Sequence, residues 1–134
     1  MEIRLAQSVD YKRIAMALRN KRIDYITPAH AREDIANHRL YVMEEDGMII
    51  AQCALVEESA HHYHAIKRLV IYNCKNCGRG IARQFIRYFC DMNLPALGCT
   101  PWTDNQKMKY LLVSNGFEYQ YTFLGNYEFF LKRG

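Results

Sequence analysis

The first third of the chain changes from an alternating to a helical pattern of hydrophobic positions. Apolar and polar residues alternate over Glu2–Gln7, which predicts a short first strand. Ser8 stands where a helix N-cap is expected, and the apolar positions after it recur at helical spacing, so a helix is predicted over about 9–20. Thr27 and Pro28 then form an N-cap and a first-turn proline, which predict a second short helix.

The middle of the chain carries the pattern of a hairpin followed by a buried strand. Two apolar runs, Leu40–Glu45 and Met48–Val56, are joined by Asp46 and Gly47, and both of these residues tolerate positive φ. A further strand is predicted at Ile66–Tyr72. Its apolar residues are consecutive, which is typical of the centre of a sheet.

The remaining third alternates helices with strands. The predicted elements are a helix at about 79–92, a strand at Ala96–Trp102, a helix from Asp104 or Asn105 that ends at Gly116, and strands at Glu118–Phe123 and Tyr127–Lys132. The complete order is β-α-α-β-β-β-α-β-α-β-β. It predicts an α/β fold with a mixed, mostly antiparallel sheet of about seven strands and about four flanking helices.

Composition limits the kind of protein this is. A chain of 134 residues, half of them hydrophobic, is expected to form one domain over residues 1–134. No apolar run approaches the roughly 18 residues that cross a membrane, and the N-terminus lacks the pattern of a signal peptide, so we expect a cytoplasmic protein without a membrane partner. Lysine and arginine exceed the acids by 18 − 14 = 4, and they are scattered. This predicts a basic ligand pocket, not a nucleic-acid surface.

The segment Cys74–Ala82, with the sequence CKNCGRGIA, has two interpretations. Cys74 and Cys77 have the spacing of half a metal site or of a redox pair. Zinc needs four ligands, however, and no second pair completes the set, because Cys90 falls in a predicted helix and Cys99 in a predicted strand. The cysteine count of five is odd. We therefore expect neither a metal site nor a disulfide framework.

The second interpretation is a loop that holds phosphates. A buried strand, a glycine loop and a helix follow one another here, and the N–H groups at a helix N-terminus favour an anion. Gly78 and Gly80 allow the backbone to approach a ligand closely, and Arg79 and Arg83 add positive charge. Glycines also simply end strands, so the motif alone does not decide the function.

Two motifs and the element order resemble the GNAT acetyltransferase superfamily over essentially the whole chain. The acetyl-CoA loop of that family follows the pattern Arg/Gln-x-x-Gly-x-Gly/Ala, and in Cys77–Ala82 the residues Gly80 and Ala82 match the two small positions. The family also carries an asparagine about a dozen residues before a Gly-Phe pair. Here Asn105 precedes Gly116 and Phe117.

The resemblance implies a binding mode for acetyl-CoA as co-substrate. The pantetheine arm would run beside the strand ending at Tyr72, the pyrophosphate would rest on the loop amides, and Asn105 would bind the pantetheine, cap its own helix, or do both. The implied cofactor-binding residues are Val70, Ile71, Tyr72, Cys77, Gly78, Arg79, Gly80, Ile81, Ala82 and Asn105.

The chain departs from the family pattern at two positions. Cys77 stands where the family has arginine or glutamine, and Arg79 or Lys75 would have to compensate. Leu112 stands where the family often has the tyrosine that protonates the leaving thiolate. Tyr110 is a poor replacement, since two residues on a helix are about 200° apart around the axis, and it is expected to be packed or at the surface.

Direct acetyl transfer also needs an oxyanion donor and a base. The resemblance implies a backbone N–H of the Ile71–Tyr72 region as the oxyanion donor. His64 is our first candidate for the base, through a water molecule if necessary, because it precedes the central strand and has the same parity as Ile66, Arg68, Val70 and Tyr72. Glu57 and Glu58 are the alternatives. Three histidines in a polar loop are also simply expected to be exposed.

We expect an N-acetyltransferase that moves an acetyl group from acetyl-CoA directly to a primary amine of a small molecule, protein or peptide. The alternative is a catalytically weak or inactive GNAT-like module that binds CoA, favoured by Cys77 and Leu112. Aromatic residues are frequent in the C-terminal strands. One face of these strands should complete the core, and the other should line an acceptor pocket or the surface of a homodimer.

Overall fold

The element order agrees with the prediction in all eleven elements. The structure is a computed structural model that describes residues 1–23, 25–73 and 75–134. The strands are β1 (Glu2–Leu5), β2 (Leu40–Glu45), β3 (Met48–Glu58), β4 (Tyr63–Ile71), β5 (Ala96–Cys99), β6 (Glu118–Phe123) and β7 (Tyr127–Arg133). The α-helices are α1 (Tyr11–Lys21), α2 (Pro28–Ala36), α3 (Ile81–Cys90) and α4 (Gln106–Ser114).

The seven strands hydrogen-bond in the order β1-β2-β3-β4-β5-β7-β6. The sheet is mixed: β4 and β5 are parallel, whereas β1–β2, β2–β3, β5–β7 and β6–β7 are antiparallel. The chain groups into two compact units. The N-terminal unit comprises Met1–Leu55 and Arg68–Ile81, and the C-terminal unit comprises Val56–Lys67 and Ala82–Gly134.

The N-terminal unit is built on the predicted hairpin. Asp46 and Gly47 form its turn with φ of 52° and 77°, which explains why these two residue types stand there. The inward positions of β2 and β3 are buried, and Leu40 and Val42 are fully enclosed. Thr27 caps α2 as predicted, since its Oγ1 accepts a hydrogen bond from the His30 N–H at 3.3 Å.

The C-terminal unit contains the parallel pair. Its register is three residues long, with His64 opposite Leu97, Ala65 opposite Gly98 and Ile66 opposite Cys99. Gly98 has a packing role, because a Cβ built there would lie 2.6 Å from the Tyr63 ring and 2.9 Å from the Phe129 ring. The predicted apolar stripe of α3 is buried at Phe85, Ile86 and Phe89.

Several predicted boundaries differ from those of the structure by one to three residues. Ser8 does not cap α1: it starts a short 3-10 turn, and α1 begins at Tyr11, because Asp10 Oδ2 accepts the Gln7 N–H at 2.8 Å. β5 stops at Cys99 and not at Trp102, since Pro101 has no N–H to continue the ladder. β4 begins at Tyr63, three residues before the predicted start at Ile66.

Within the parts of the chain that the structure describes, no helix is both long enough and apolar enough to cross a membrane.

Candidate functional site

The predicted phosphate loop has the backbone that the glycine pattern demands. Gly78 and Gly80 have φ of 83° and 76°, a region that side chains with a Cβ rarely adopt. Apart from the adjoining residues of the chain, no described atom lies within 4 Å of the position where a Cβ would stand on either glycine. The α3 helix begins at Ile81, immediately after the second glycine. The loop therefore presents open backbone at a helix N-terminus.

Arg79, the cation inside this loop, is engaged by an acid of the same unit. Its Nη2 donates to Glu45 Oε2 at 2.6 Å, and its Nη1 donates to Glu45 Oε1 at 3.0 Å and to Asn76 Oδ1 at 2.7 Å. The Arg79 guanidinium holds the pKa of the Glu45 carboxyl below its usual range. A bound anion at the loop would have to share Arg79 with Glu45.

The described cysteines lie in different surroundings and are not bonded to one another. Cys77 is exposed and unbonded to another cysteine, whereas the side chain of Cys74 lies outside the described part of the structure. No group of three or more metal-binding side chains occurs within the described ranges. Removal of water from the Cys99 thiol raises its pKa to about 12, so that Cys99 is not a nucleophile at neutral pH.

The strand that leads to the loop contains a kink that sequence parity does not reveal. Arg68, a non-glycine residue within β4, has a φ of 53°. A left-handed residue departs from the extended backbone on which the regular alternation of side-chain faces depends. The parity argument that linked His64 to Val70 and Tyr72 therefore fails at Arg68.

The end of β4 is fixed by Gln52 and Tyr72. The Tyr72 N–H donates to the Ile50 carbonyl at 3.0 Å, and the Tyr72 hydroxyl donates to Gln52 Oε1 at 2.7 Å. Burial raises the pKa of Tyr72 well above its ordinary value, so its hydroxyl remains a donor. Because the Tyr72 N–H is engaged, the Ile71 N–H becomes the first candidate of that predicted pair for an oxyanion donor.

Asn105 caps α4, and on that helix Leu112 and Tyr110 lie in different surroundings. Asn105 Oδ1 accepts the Met108 N–H at 3.2 Å, and no hydrogen bond from its Nδ2 is found among the described residues. Leu112 is fully buried and belongs to the core. Tyr110 is 74% exposed, in agreement with its predicted position away from the Asn105 face.

The candidate bases differ in their surroundings. His64 is half-buried and paired with Leu97, and strand alternation directs it to the face opposite Tyr63. Glu57 is exposed at the end of β3, and Glu58 accepts from Lys67 Nζ at 2.9 Å. Glu57 and His64 lie in the same unit, and no hydrogen bond between them is found among the described residues.

One face of the C-terminal strands carries a continuous row of rings. Successive ring centroids along this aromatic row are 4.6, 5.5, 6.0, 5.3 and 5.3 Å apart. In order, its members are Trp102, Tyr127, Phe123, Tyr121, Phe129 and Tyr63. Phe129 is buried, whereas Trp102 is 45% and Tyr121 55% exposed. The row is thus partly accessible to solvent, at its Trp102 end and at Tyr121.

Sequence reasoning missed the polar contacts that hold these elements. Asp34 on α2 is buried and accepts hydrogen bonds from Arg68 and Arg39, and Gln52 is buried beside β4. One signal for Asp34 was present, since it lies beside Ile35 and three residues after Ala31 on the apolar face of a short helix. Nothing in the local sequence indicated that Arg68 would be its partner.

No family model and no curated protein matches the sequence. Solved structures do match its fold. An acetyltransferase of the GNAT family from Streptococcus agalactiae is 21% identical, with a TM-score of 0.81, and the match covers 99% of this chain and 95% of that one. A Vibrio cholerae spermidine N-acetyltransferase SpeG chimera with hSSAT is 18% identical, with a TM-score of 0.76 and coverage of 99% and 96%. A ribosomal-protein-alanine N-acetyltransferase from Brucella melitensis is 17% identical, with a TM-score of 0.76 and complete coverage of both chains.

Proposed function

Because the chain has the fold of the GNAT acetyltransferases, we propose that it is an acetyl-CoA-dependent N-acetyltransferase, one domain over residues 1–134 that works in the cytoplasm. The observation that carries this proposal is the glycine loop. Gly78 and Gly80 adopt left-handed φ values with open space beside them, immediately before a helix. That arrangement suits a pyrophosphate, which needs close backbone N–H donors.

The cofactor site that we propose uses backbone groups more than side chains. The amides of Cys77–Ala82 bind the pyrophosphate, and Val70, Ile71 and Tyr72 line the pantetheine arm. Asn105 contributes its Nδ2, since its Oδ1 caps α4. The Ile71 N–H serves as the oxyanion donor, because the N–H of Tyr72 is bonded to Ile50.

The acceptor amine is proposed to bind on the aromatic row. Ring faces at Trp102 and Tyr121 are accessible there, and an ammonium or an apolar stem can pack on them. The amine must lose a proton before it attacks the thioester. Glu57 suits this role better than Glu58, whose carboxylate is paired with Lys67. His64 is the second candidate, acting through a water molecule.

Direct transfer is favoured over a covalent enzyme intermediate. The Cys99 thiol stays protonated at neutral pH, since its pKa lies at about 12. Leu112 cannot supply a proton to the departing thiolate. A thiol is nevertheless a tolerable leaving group, because its ordinary pKa is only about 8.5.

The alternative function is a GNAT-like module that binds CoA with little or no turnover. Two observations favour it: Leu112 is a core residue where an acid would stand, and Arg79 is paired with Glu45. Calorimetric titration with acetyl-CoA tests both functions, since both require saturable binding. Release of CoA thiol in the presence of a panel of amines and peptides then distinguishes them. No binding at millimolar acetyl-CoA would contradict both.

A further inference from the structure

The backbone of Arg68 is held in a conformation that its own side chain type does not favour. Its φ of 53° lies in the left-handed region, where a residue with a Cβ is strained. Such residues persist only where surrounding contacts hold them, and they concentrate at sites where geometry matters. The contacts that hold Arg68 therefore indicate what the kink is for.

A buried carboxylate holds the Arg68 side chain. Asp34, whose side chain is 1% exposed, accepts from Arg68 Nε at 2.7 Å through Oδ2 and from Arg68 Nη2 at 2.8 Å through Oδ1. Arg39 Nε adds a third bond to Oδ1 at 2.7 Å. A bidentate pair of this kind fixes the direction of the guanidinium as well as its position.

A buried amide holds the Arg68 backbone. Gln52 Nε2 donates to the Arg68 carbonyl at 3.4 Å, while Gln52 Oε1 accepts from the Tyr72 hydroxyl. Gln52 is 1% exposed and therefore has few alternative partners. The side chain and the carbonyl of Arg68 are thus restrained from two different elements, α2 and β3.

The kink stands at a defined point along β4. The last residue that pairs with β5 is Ile66, two positions before Arg68. After the kink the strand continues through Leu69, Val70 and Ile71, the backbone that would face the pantetheine and the thioester. A residue that fixes the kink therefore also fixes the direction of the backbone that follows it.

We propose that Asp34 is a positioning residue for acetyl transfer: by clamping Arg68 it holds the left-handed kink that sets the Val70–Ile71 backbone against the thioester of acetyl-CoA. This inference rests on the proposed function. It assigns a role in turnover to a buried ion pair that otherwise would serve stability alone.

The test compares two variants that differ by one methyl group. Arg68→Gly and Arg68→Ala both remove the guanidinium, but only glycine adopts the left-handed conformation freely. Both are assayed for kcat and KM well below their unfolding midpoints. Arg68→Gly should keep kcat/KM within about three-fold of wild type, and Arg68→Ala should lose about ten-fold relative to it. Asp34→Asn should also lose activity, and adding Arg68→Gly to it should restore most of that loss.

The outcomes are distinct. Equal kcat/KM in folded Arg68→Gly and Arg68→Ala would overturn the inference and leave the pair a purely structural one. If Arg68→Ala does not fold, Arg68→Asn and Arg68→Gln form the replacement comparison, with asparagine expected to be more active because it tolerates left-handed φ. If the wild-type protein acetylates no amine, the proposed function fails. Amide hydrogen exchange at Leu69–Ile71 then tests directly whether the Asp34–Arg68 pair holds the kink. Faster exchange in Arg68→Ala than in Arg68→Gly supports the control of the kink by this pair, and equal exchange overturns it.

Discussion

Arg79 and Glu45 form a two-point ion pair at the edge of the glycine loop, with N–O distances of 2.6 and 3.0 Å. The charge that stands between the two glycines of the loop is therefore directed at a carboxylate of the same protein. Both side chains are about one-third exposed, so the pair is screened and weak. A pyrophosphate can displace the Glu45 carboxylate from Arg79, but the two anions compete for the same guanidinium.

Replacing Glu45 by glutamine should tighten acetyl-CoA binding. The change frees Arg79 for the phosphates and removes a negative charge near them, and the expected decrease in Kd is about two- to five-fold, measured by calorimetric titration. Glu118→Gln is the control, since it makes the same charge change on β6. Equal effects of the two substitutions would show that net charge, and not the Arg79 pair, limits affinity.

Cys77→Arg tests the alignment of the loop. Cys77 is exposed and stands where the resembled family has arginine or glutamine, so an arginine there should add a charge-assisted hydrogen bond to a phosphate and lower the Kd for acetyl-CoA by about ten-fold. Cys77→Ser serves as the neutral control. Binding that is unchanged or weaker in the arginine variant would mean that the loop is aligned in the wrong register.

Trp102→Ala tests the acceptor surface. The Trp102 ring packs at 4.6 Å on Tyr127 and is 45% exposed, so its loss should raise the KM for the amine about three- to ten-fold and leave the Kd for acetyl-CoA unchanged. Tyr110→Ala, which removes an exposed ring from α4, is the control. A Trp102→Ala protein with unchanged KM and a lower mass in analytical ultracentrifugation would identify the row as a homodimer surface instead.

Gly98→Ala tests the packing under the row. The new methyl group would lie 2.6 Å from the Tyr63 ring and 2.9 Å from the Phe129 ring, and overpacking of this kind costs about 1–3 kcal/mol in the free energy of unfolding. Urea unfolding measures the loss. The double variant Gly98→Ala/Tyr63→Ala should be less destabilised than the sum of the single variants, because the second change removes the closer of the two clashes and leaves only that with Phe129. Strict additivity would contradict this contact.

Hydrophobic periodicity and turn chemistry were sufficient to predict the order of the elements. The Asp46–Gly47 turn, the Thr27 cap and the α3 stripe each depend on residues close together in the sequence, and each is confirmed. Local signals failed where a distant group decided the geometry. Other misses were local: the 3-10 turn Ser8–Asp10, closed by the bond from the Gln7 N–H to Asp10, was not visible in the helical spacing.

The candidate site was predictable only in part, for the same reason. Glycines at 78 and 80 predicted the loop, because positive φ is a property of the residue itself. Arg68, at the kink, is bound by Asp34, 34 positions earlier, and Arg79 in the loop is bound by Glu45. No local pattern encodes either pair. The roles of His64, Glu57 and Asn105, and the cytoplasmic location, stay predictions.

The central claim is that this chain transfers an acetyl group from CoA to an amine. The most direct measurement is mass spectrometry of an amine and peptide panel after incubation with acetyl-CoA that carries ¹³C in its acetyl group. We expect at least one primary amine to gain the labelled acetyl group, at a rate that depends on the concentration of protein and falls in Arg68→Ala. Label that remains on CoA for every acceptor, at millimolar acetyl-CoA that the protein demonstrably binds, would contradict it and leave a CoA-binding module.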